Sequence, residues 1–275
     1  MRPDVLPFLH ASSNTFSYLV ADPRSGEAAA IDPALDFDPQ TGQAGTAPAQ
    51  ALVDAAAARG WTVRWLLETH AHADHVSAAQ WLRLAWPQAR LGIGAGIVQV
   101  QQAFAGQFRL PADYLADGSQ FDRLFLDGEQ FMLGELPAEV IAVPGHTSDS
   151  VAYLIGDALF PGDSIFLPDG GTARCDFPGG DAAQLYRSIQ RLFALPGQTR
   201  VFVCHDYGPG GRALAHATTI AEQRRANIHV QQGVQEAEFV ARRQARDATL
   251  AVPKLMGPAV KANIQGGRYD DLLPL

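Results

Sequence analysis

The sequence predicts an α/β protein in which mixed β-strands form sheets covered by helices. Three observations carry that prediction. Short apolar runs rich in β-branched and aromatic residues recur along the chain. Helical stretches alternate with them, which is the pattern of sheets packed under helices. The composition then supports a large core: of 275 residues, 47% are hydrophobic and 18% charged, which suits a folded chain and not a disordered one. The length fits one large domain or two small ones. With no internal repeat and no separating linker, a single domain over 1–275 is expected.

The elements follow in order. Phe16 to Val20 reads as a strand, the segment to Gly26 as a turn, and Ala28 to Asp32 as a second strand ended by Pro33. Asp36 to Pro48 is rich in turn-forming and polar residues and reads as a loop. Ala49 to Arg59 is a helix on alanine's propensity, stopped by Gly60. Val63 to Leu67 is a short buried strand, and His75 to Trp86 a helix stopped by Pro87. Phe104 to Phe125 has little periodicity and is assigned mostly to loop. Glu139 to Val143 is a strand before Pro144-Gly145. Val151 to Ile155 and Ala158 to Phe160 form a hairpin about Gly156-Asp157, where glycine permits a positive φ. Asp181 to Leu192 is a helix and Arg200 to Val203 a strand. Thr218 to Ile228 and Glu236 to Thr249 are further helices.

Charge and cysteine usage narrow the function classes. Lys and Arg number 21 against 29 Asp and Glu, a formal charge of −8, which argues against a nucleic-acid surface. No apolar run is long enough to span a bilayer, and the first residues lack the continuous apolar stretch of a signal peptide. Two cysteines, Cys175 and Cys204, cannot build a disulfide framework, so a reducing cytoplasm is the expected location.

The informative segment is Thr69-His70-Ala71-His72-Ala73-Asp74-His75. Imidazole and carboxylate are the usual ligands of zinc, iron and manganese, and four of them fall within six residues. A packing cluster with Asp74 as a helix N-cap is the plain alternative. Further candidates follow strand ends: Pro144-Gly145-His146-Thr147, Pro161-Gly162-Asp163 and Cys204-His205-Asp206-Tyr207. A strand end holds a side chain rigidly while loops leave an opening beside it. Singly, Asp163 reads as a turn residue and His205 as a satisfied histidine; as a set they read as ligands.

The pattern His-x-His-x-Asp-His, Gly-His-Thr, Gly-Asp, His resembles the metallo-β-lactamase superfamily. The resemblance implies an αββα sandwich: two mixed sheets face to face, helices on the outer faces, metal at one edge. It maps a first metal site onto His70, His72 and His146, a second onto Asp74, His75 and His205, and a bridge onto Asp163. Fold does not fix reaction, but the downstream sequence is similar to the persulfide dioxygenase branch and its β-lactamase hydrolase-like bacterial members. The similar segments are Arg174-Cys175-Asp176-Phe177, Gly179-Gly180-Asp181, Leu185-Tyr186-Arg187-Ser188-Ile189, Leu195-Pro196-Gly197, His205-Asp206-Tyr207 and Ala262-Asn263-Ile264. One departure is Thr172, where relatives of the mitochondrial enzyme place a cysteine. The loop from Asp163 to Arg174 also looks about two residues longer than theirs, within what surface loops tolerate.

That branch implies one Fe(II) per chain on His70, His146 and Asp163, with open positions for a small thiol persulfide and O₂. His72, Asp74, His75 and His205 then become outer-shell groups or a second site. The same residues suit two Zn(II) ions, so a hydrolase of the glyoxalase II or lactonase type is the alternative. The tail after His205 is too short for the helical glutathione-binding domain of glyoxalase II enzymes. No nucleic acid or membrane enters either reading, and a homodimer is compatible with both.

Substrate contacts are expected at Arg174, Thr147, Tyr207 and Asn263, with Arg174 and Tyr207 also counted as catalytic. Arg174 has two readings, an anion contact or a pair with Asp176. Tyr207 donates a hydrogen bond near the site or packs; Thr147 holds a ligand or caps a turn. Strand alternation points Cys204 away from the metal and into the core. Cys175 reads as an inert thiol in a loop, with an exposed, redox-active thiol as the alternative. His10, His216 and His229 have no motif around them and read as surface or packing residues, and Trp61, Trp65, Trp81 and Trp86 as core.

Overall fold

The computed structural model describes residues 2–268. The ends of the expected domain, residue 1 and residues 269–275, lie outside the described residues. Two six-stranded sheets form the centre. The first runs, in spatial order, Asp4–His10, Thr15–Ala21, Glu27–Ile31, Thr62–Leu67, Arg90–Gly94 and Arg123–Phe125. Its first two pairings are antiparallel and the rest parallel. The second runs Gln130–Leu133, Leu136–Ala142, Val151–Ile155, Ala158–Phe160, Arg200–Phe202 and Ala217–Thr219. Only Ala158–Phe160 with Arg200–Phe202 is parallel there. A small third sheet joins Gln43–Gly45, Ala34–Asp38 and Val76–Ser77.

Alternation along the strands sets the layers. Phe16, Tyr18, Val20, Ile31, Trp65 and Leu67 point inward from the first sheet and meet Val140, Val151, Tyr153, Ile155, Phe160 and Phe202 of the second. The opposite face of the first sheet, with Leu19, Ala28, Ala30, Leu66 and Leu91, is covered by helices that include Ala47–Arg59 and Ile97–Phe104. Ile141, Ala152, Leu159 and Val201 of the second sheet lie under Ala182–Phe193, Ile220–Ala226 and Glu236–Asp247. The result is helix, sheet, sheet, helix. Both sheets are covered on both faces, which is why Thr15–Ala21 is buried at every position.

Several elements differ from the sequence reading. The helix expected from His75 starts at Ala79. Val76 and Ser77 are taken instead by pairing with Leu35 and Ala34, so tertiary strand pairing overrides helix propensity. The loop expected over Asp36 to Pro48 contains the hairpin of Ala34–Asp38 with Gln43–Gly45, and the helix begins at Ala47. Thr218 belongs to a strand, and the next helix starts at Ile220, with the Thr219 side chain accepting from Glu222 N. Strands Asp4–His10, Arg90–Gly94 and Gln130–Leu133, and helices Ile97–Phe104 and Met256–Asn263, were not legible as elements. The hairpin about Gly156 (φ 59°) and the helix capped by Asp181 are as expected. Trp65 lies in the core between the sheets, while Trp61, Trp81 and Trp86 are partly buried against the core on the helix-covered face of the first sheet. Among the described residues no helix is long and apolar enough to cross a membrane.

Candidate metal centre

Four strand ends converge. His70 follows Thr62–Leu67, His146 follows Leu136–Ala142, Asp163 follows Ala158–Phe160, and His205 follows Arg200–Phe202. Backbone hydrogen bonds tie the two sheets together here: Val151 N donates to Thr69 O at 2.9 Å and Phe16 N to Cys204 O at 2.6 Å. Gly145 makes the turn before His146, with φ 137°, and a Cβ there would lie 2.3 Å from Leu185 N. Only glycine permits both the angle and the approach.

Each imidazole is held by one nitrogen and leaves the other for the centre. His70 Nδ1 lies 3.0 Å from Thr69 Oγ1. His146 Nδ1 donates to Arg174 O at 2.7 Å, and His205 Nδ1 to Asn14 O at 3.1 Å. His72 reverses the pattern: its Nε2 faces Asp32 Oδ1 at 3.0 Å and Glu68 Oε2 at 3.4 Å. The buried nitrogens His70 Nε2, His72 Nδ1 and His75 Nε2 have no hydrogen-bond partner among the described residues. An orphaned buried polar atom costs about 1–3 kcal/mol, and a bound cation removes that cost. The residues therefore fit a metal ion, with His70 Nε2, His72 Nδ1 and His75 Nε2 available as ligand atoms.

The structure brings His70, His146 and Asp163 into one group whose ligand atoms lie within 4.8 Å of one another. Asp163 Oδ2 lies 3.5 Å from His146 Nε2. His72, Asp74 and His75 form a second such group. Asp74 Oδ2 accepts from Thr15 Oγ1 at 2.9 Å and lies 3.5 Å from His205 Nε2. Burial and the neighbouring His72 and His146 hold the His70 imidazole well below its ordinary pKa, so it stays neutral. Burial also disfavours a charged His72, yet the Asp32 and Glu68 carboxylates raise it well above the ordinary value. Asp74 is drawn well below the carboxylate range by His75 and His205, against the opposing effect of burial.

Cys204 corrects the sequence reading. It is buried, but its Sγ donates to Asp163 Oδ1 and belongs to a group with Asp163 and His205. The strand ends at Phe202, so alternation no longer sets the direction of residue 204. Burial, then the Asp163 charge, pushes its thiol well up. Cys175 is buried and its thiol is pushed up to about 12 by burial and Asp247, which suits an inert thiol.

Arg174 forms the pair with Asp176. Nε and Nη2 donate to the two carboxylate oxygens at 2.6 and 2.7 Å, and Nη1 to Ala251 O at 2.7 Å. The guanidinium also lies 4.9 Å from the Phe177 ring centroid. Its side chain thus faces these partners, while its carbonyl orients His146. Asn263, expected at the substrate, is buried, and its amide is engaged by Ser77 N, His72 O and His75 O. Thr147 Oγ1 shares a 2.6 Å hydrogen bond with Ser150, and the residue lines a crevice with Ala71, Ala73, Phe104 and Phe177. Tyr207 is 60% exposed and stacks on His205, with 5.8 Å between ring centroids. Thr172 N donates to His229 Nδ1 at 3.0 Å, and its carbonyl accepts from Arg243. His10 is buried on Asp36, and His216 packs on Phe16 and Phe202.

Sequence reasoning missed Asp32, Glu68 and Asp149. Asp32 has φ 47° and binds Thr69 N and Oγ1 as well as His72. Asp149 Oδ2 accepts from Ala71 N at 2.7 Å. The signal available was an acidic residue beside a strand end, too common to single out.

The chain has relatives among known proteins. The chain is 47% identical over 274 residues to a probable metallo-hydrolase of Burkholderia pseudomallei, covering 96% of this chain and 93% of that one. It is 46% identical to a beta-lactamase hydrolase-like protein of Agrobacterium fabrum, covering 98% of this chain but 62% of that longer one. Glyoxylase B2 of Dictyostelium discoideum is 41% identical, over 94% and 89% of the two chains. The crystal structure of ETHE1 from Myxococcus xanthus superposes with a TM-score of 0.76 at 32% identity, over 98% of this chain and 100% of that one. The family described as the metallo-beta-lactamase superfamily matches residues 13–205, and with the four strand-end ligand positions inside or at the edge of that span, the chain belongs to that superfamily.

Proposed function

We propose that the protein is a non-haem iron persulfide dioxygenase that converts a small thiol persulfide, O₂ and water into the thiol and sulfite. The observation that carries the reading is the buried set of two imidazoles and one carboxylate, His70, His146 and Asp163. This is the ligand type of Fe(II) oxygenases with open positions. The likeness to ETHE1 along the whole chain supports the same branch. Iron, when bound, supplies the site at which O₂ and the terminal sulfur meet. The protein's part is to hold and orient the ligands. Thr69 and the Arg174 carbonyl fix the outer nitrogens of His70 and His146. Ala71, Ala73, Thr147 and Phe177, which adjoin His70, His72 and His146 in the chain or, for Phe177, on the His146 ring, line a mostly apolar crevice. His72, Asp74, His75 and His205 orient the ligands from outside the set. Glutathione persulfide is the carrier we propose, acting in the cytoplasm, with a homodimer as the assembly.

A second reading has its own observation. His72, Asp74 and His75 converge beside the first group, and Glyoxylase B2 is a relative; a zinc hydrolase with two ions would use both groups. The deciding experiment loads the protein anaerobically with Fe(II) and follows O₂ in an electrode. Uptake with glutathione persulfide, sulfite release, and no uptake with glutathione are expected. Thioester hydrolysis by the zinc-loaded protein with no O₂ uptake by the iron form would replace the dioxygenase with the hydrolase.

A further inference from the structure

We propose that Cys204 is a positioning residue that keeps the centre at one metal ion, by occupying the oxygen of Asp163 that a second ion would share. The inference rests on the one-iron reading above. Its starting point is the division of Asp163 between two sides. Oδ2 faces His146 Nε2 at 3.5 Å, on the side of the first group. Oδ1 faces the other way, 3.4 Å from His205 Nε2, and it accepts the hydrogen bond of Cys204 Sγ. In the two-ion arrangement that the superfamily resemblance implies, Asp163 bridges; with Oδ2 on the His146 side, a bridge through both oxygens gives Oδ1 to the ion beside Asp74 and His205.

The thiol stands in that place. Sγ, Oδ1 and His205 Nε2 are mutually within 4.8 Å, so an ion between Asp163 and His205 would meet the sulfur, and a thiol that keeps its proton on Oδ1 opposes that ion. Cys204 is 2% exposed and the Asp163 side chain 11%, so the bond lies in a largely buried site. A thiol is a weak donor, but a bond to a carboxylate in such a site is stronger than a neutral one. A second ion must break it and turn the side chain in a packed environment. The first group is untouched, because it uses Oδ2. The opposite role, a thiolate that ligates the second ion, predicts the reverse effect on substitution.

Anaerobic zinc titration against a chromogenic chelator separates the stepwise affinities of the two ions. The proteins compared are wild type, Cys204→Ala and Cys204→Ser. First-ion affinity should stay within about twofold in all three. Second-ion affinity should tighten about tenfold in Cys204→Ala, the size expected for one hydrogen bond to a charged group, and stay near wild type in Cys204→Ser, which keeps a donor. If the alanine variant is too unstable to titrate, Cys204→Val fills the space without donating and carries the same expectation. A second-ion affinity that is unchanged, or weaker as for a lost ligand, overturns the proposal. Failure of the dioxygenase reading shows separately, as absent O₂ uptake by the iron-loaded wild type, and leaves these affinities as they are.

Discussion

The Asn263 amide donates to the carbonyl oxygen of His72 and to that of His75, both at 2.8 Å. Its Oδ1 accepts from Ser77 N at 2.8 Å. One buried side chain on the last described helix therefore holds the segment that carries three candidate ligands. The segment has no regular ladder of its own between Leu67 and Val76, and its backbone groups must find partners elsewhere.

Asn263→Ala should leave three buried backbone groups unpaired. A loss of about 2–4 kcal/mol in unfolding free energy is expected, together with weaker binding of the first metal ion. Urea unfolding and metal titration of the same variant check both. Unchanged stability would show that water or a neighbour replaces the amide.

His70→Ala, His146→Ala and Asp163→Ala should each lose the first ion, because each removes one of three ligands from a group with no spare member. His216→Ala and His229→Ala should keep it, since their rings pack on Phe16 and Phe202, and against Gly171. Metal analysis of the purified variants decides. A normal metal content in Asp163→Ala would remove that residue from the ligand set.

Arg174→Ala should act on stability more than on turnover. The guanidinium is engaged by Asp176 and Ala251, and a partly exposed pair of this kind is worth about 1 kcal/mol. A lowered Tm with kcat/KM per bound iron within about twofold of wild type is the expected result. A tenfold or larger loss, about 1.4 kcal/mol, at an unchanged Tm would restore the substrate-contact role.

His229 should make stability pH-dependent. Burial first, then Arg243, Arg242 and Arg246, lower its pKa to about 4. The folded pKa is below the unfolded value near 6.5, so the unfolded state binds more protons between them. Stability is therefore full above pH 6.5 and falls as the pH drops towards about 4. Allowing for solvent screening, the contribution is about 1–2 kcal/mol. His229→Gln should flatten this part of the Tm profile relative to wild type. Parallel profiles for the two proteins would show that other groups carry the acid sensitivity.

The sequence by itself determined the ligand repertoire and the layered class of the fold. His70, His72, Asp74 and His75 are adjacent in the chain, so their density was visible without any structure. The inward strands were visible because Thr15–Ala21, Thr62–Leu67 and Val151–Ile155 each carry a run of β-branched, aromatic and other apolar residues. Edge elements such as Asp4–His10 and Gln130–Leu133 are only partly buried, short or broken by Pro7, and their apolar residues do not alternate with polar ones, so no strand pattern marked them. What each side chain does was decided only by tertiary structure. Arg174 reads alike as anchor or as substrate contact until Asp176 and Ala251 fill its fork. Asn263 becomes a scaffold residue because helix packing carries it 186 residues back to Ser77. Cys204 faces Asp163 because its strand stops at Phe202, and two-residue alternation holds only while the ladder continues. Chemistry-bearing residue types are local properties of the chain; partners are pairwise properties of the fold, and a hydrogen bond or an orphaned nitrogen exists only once both sides are placed.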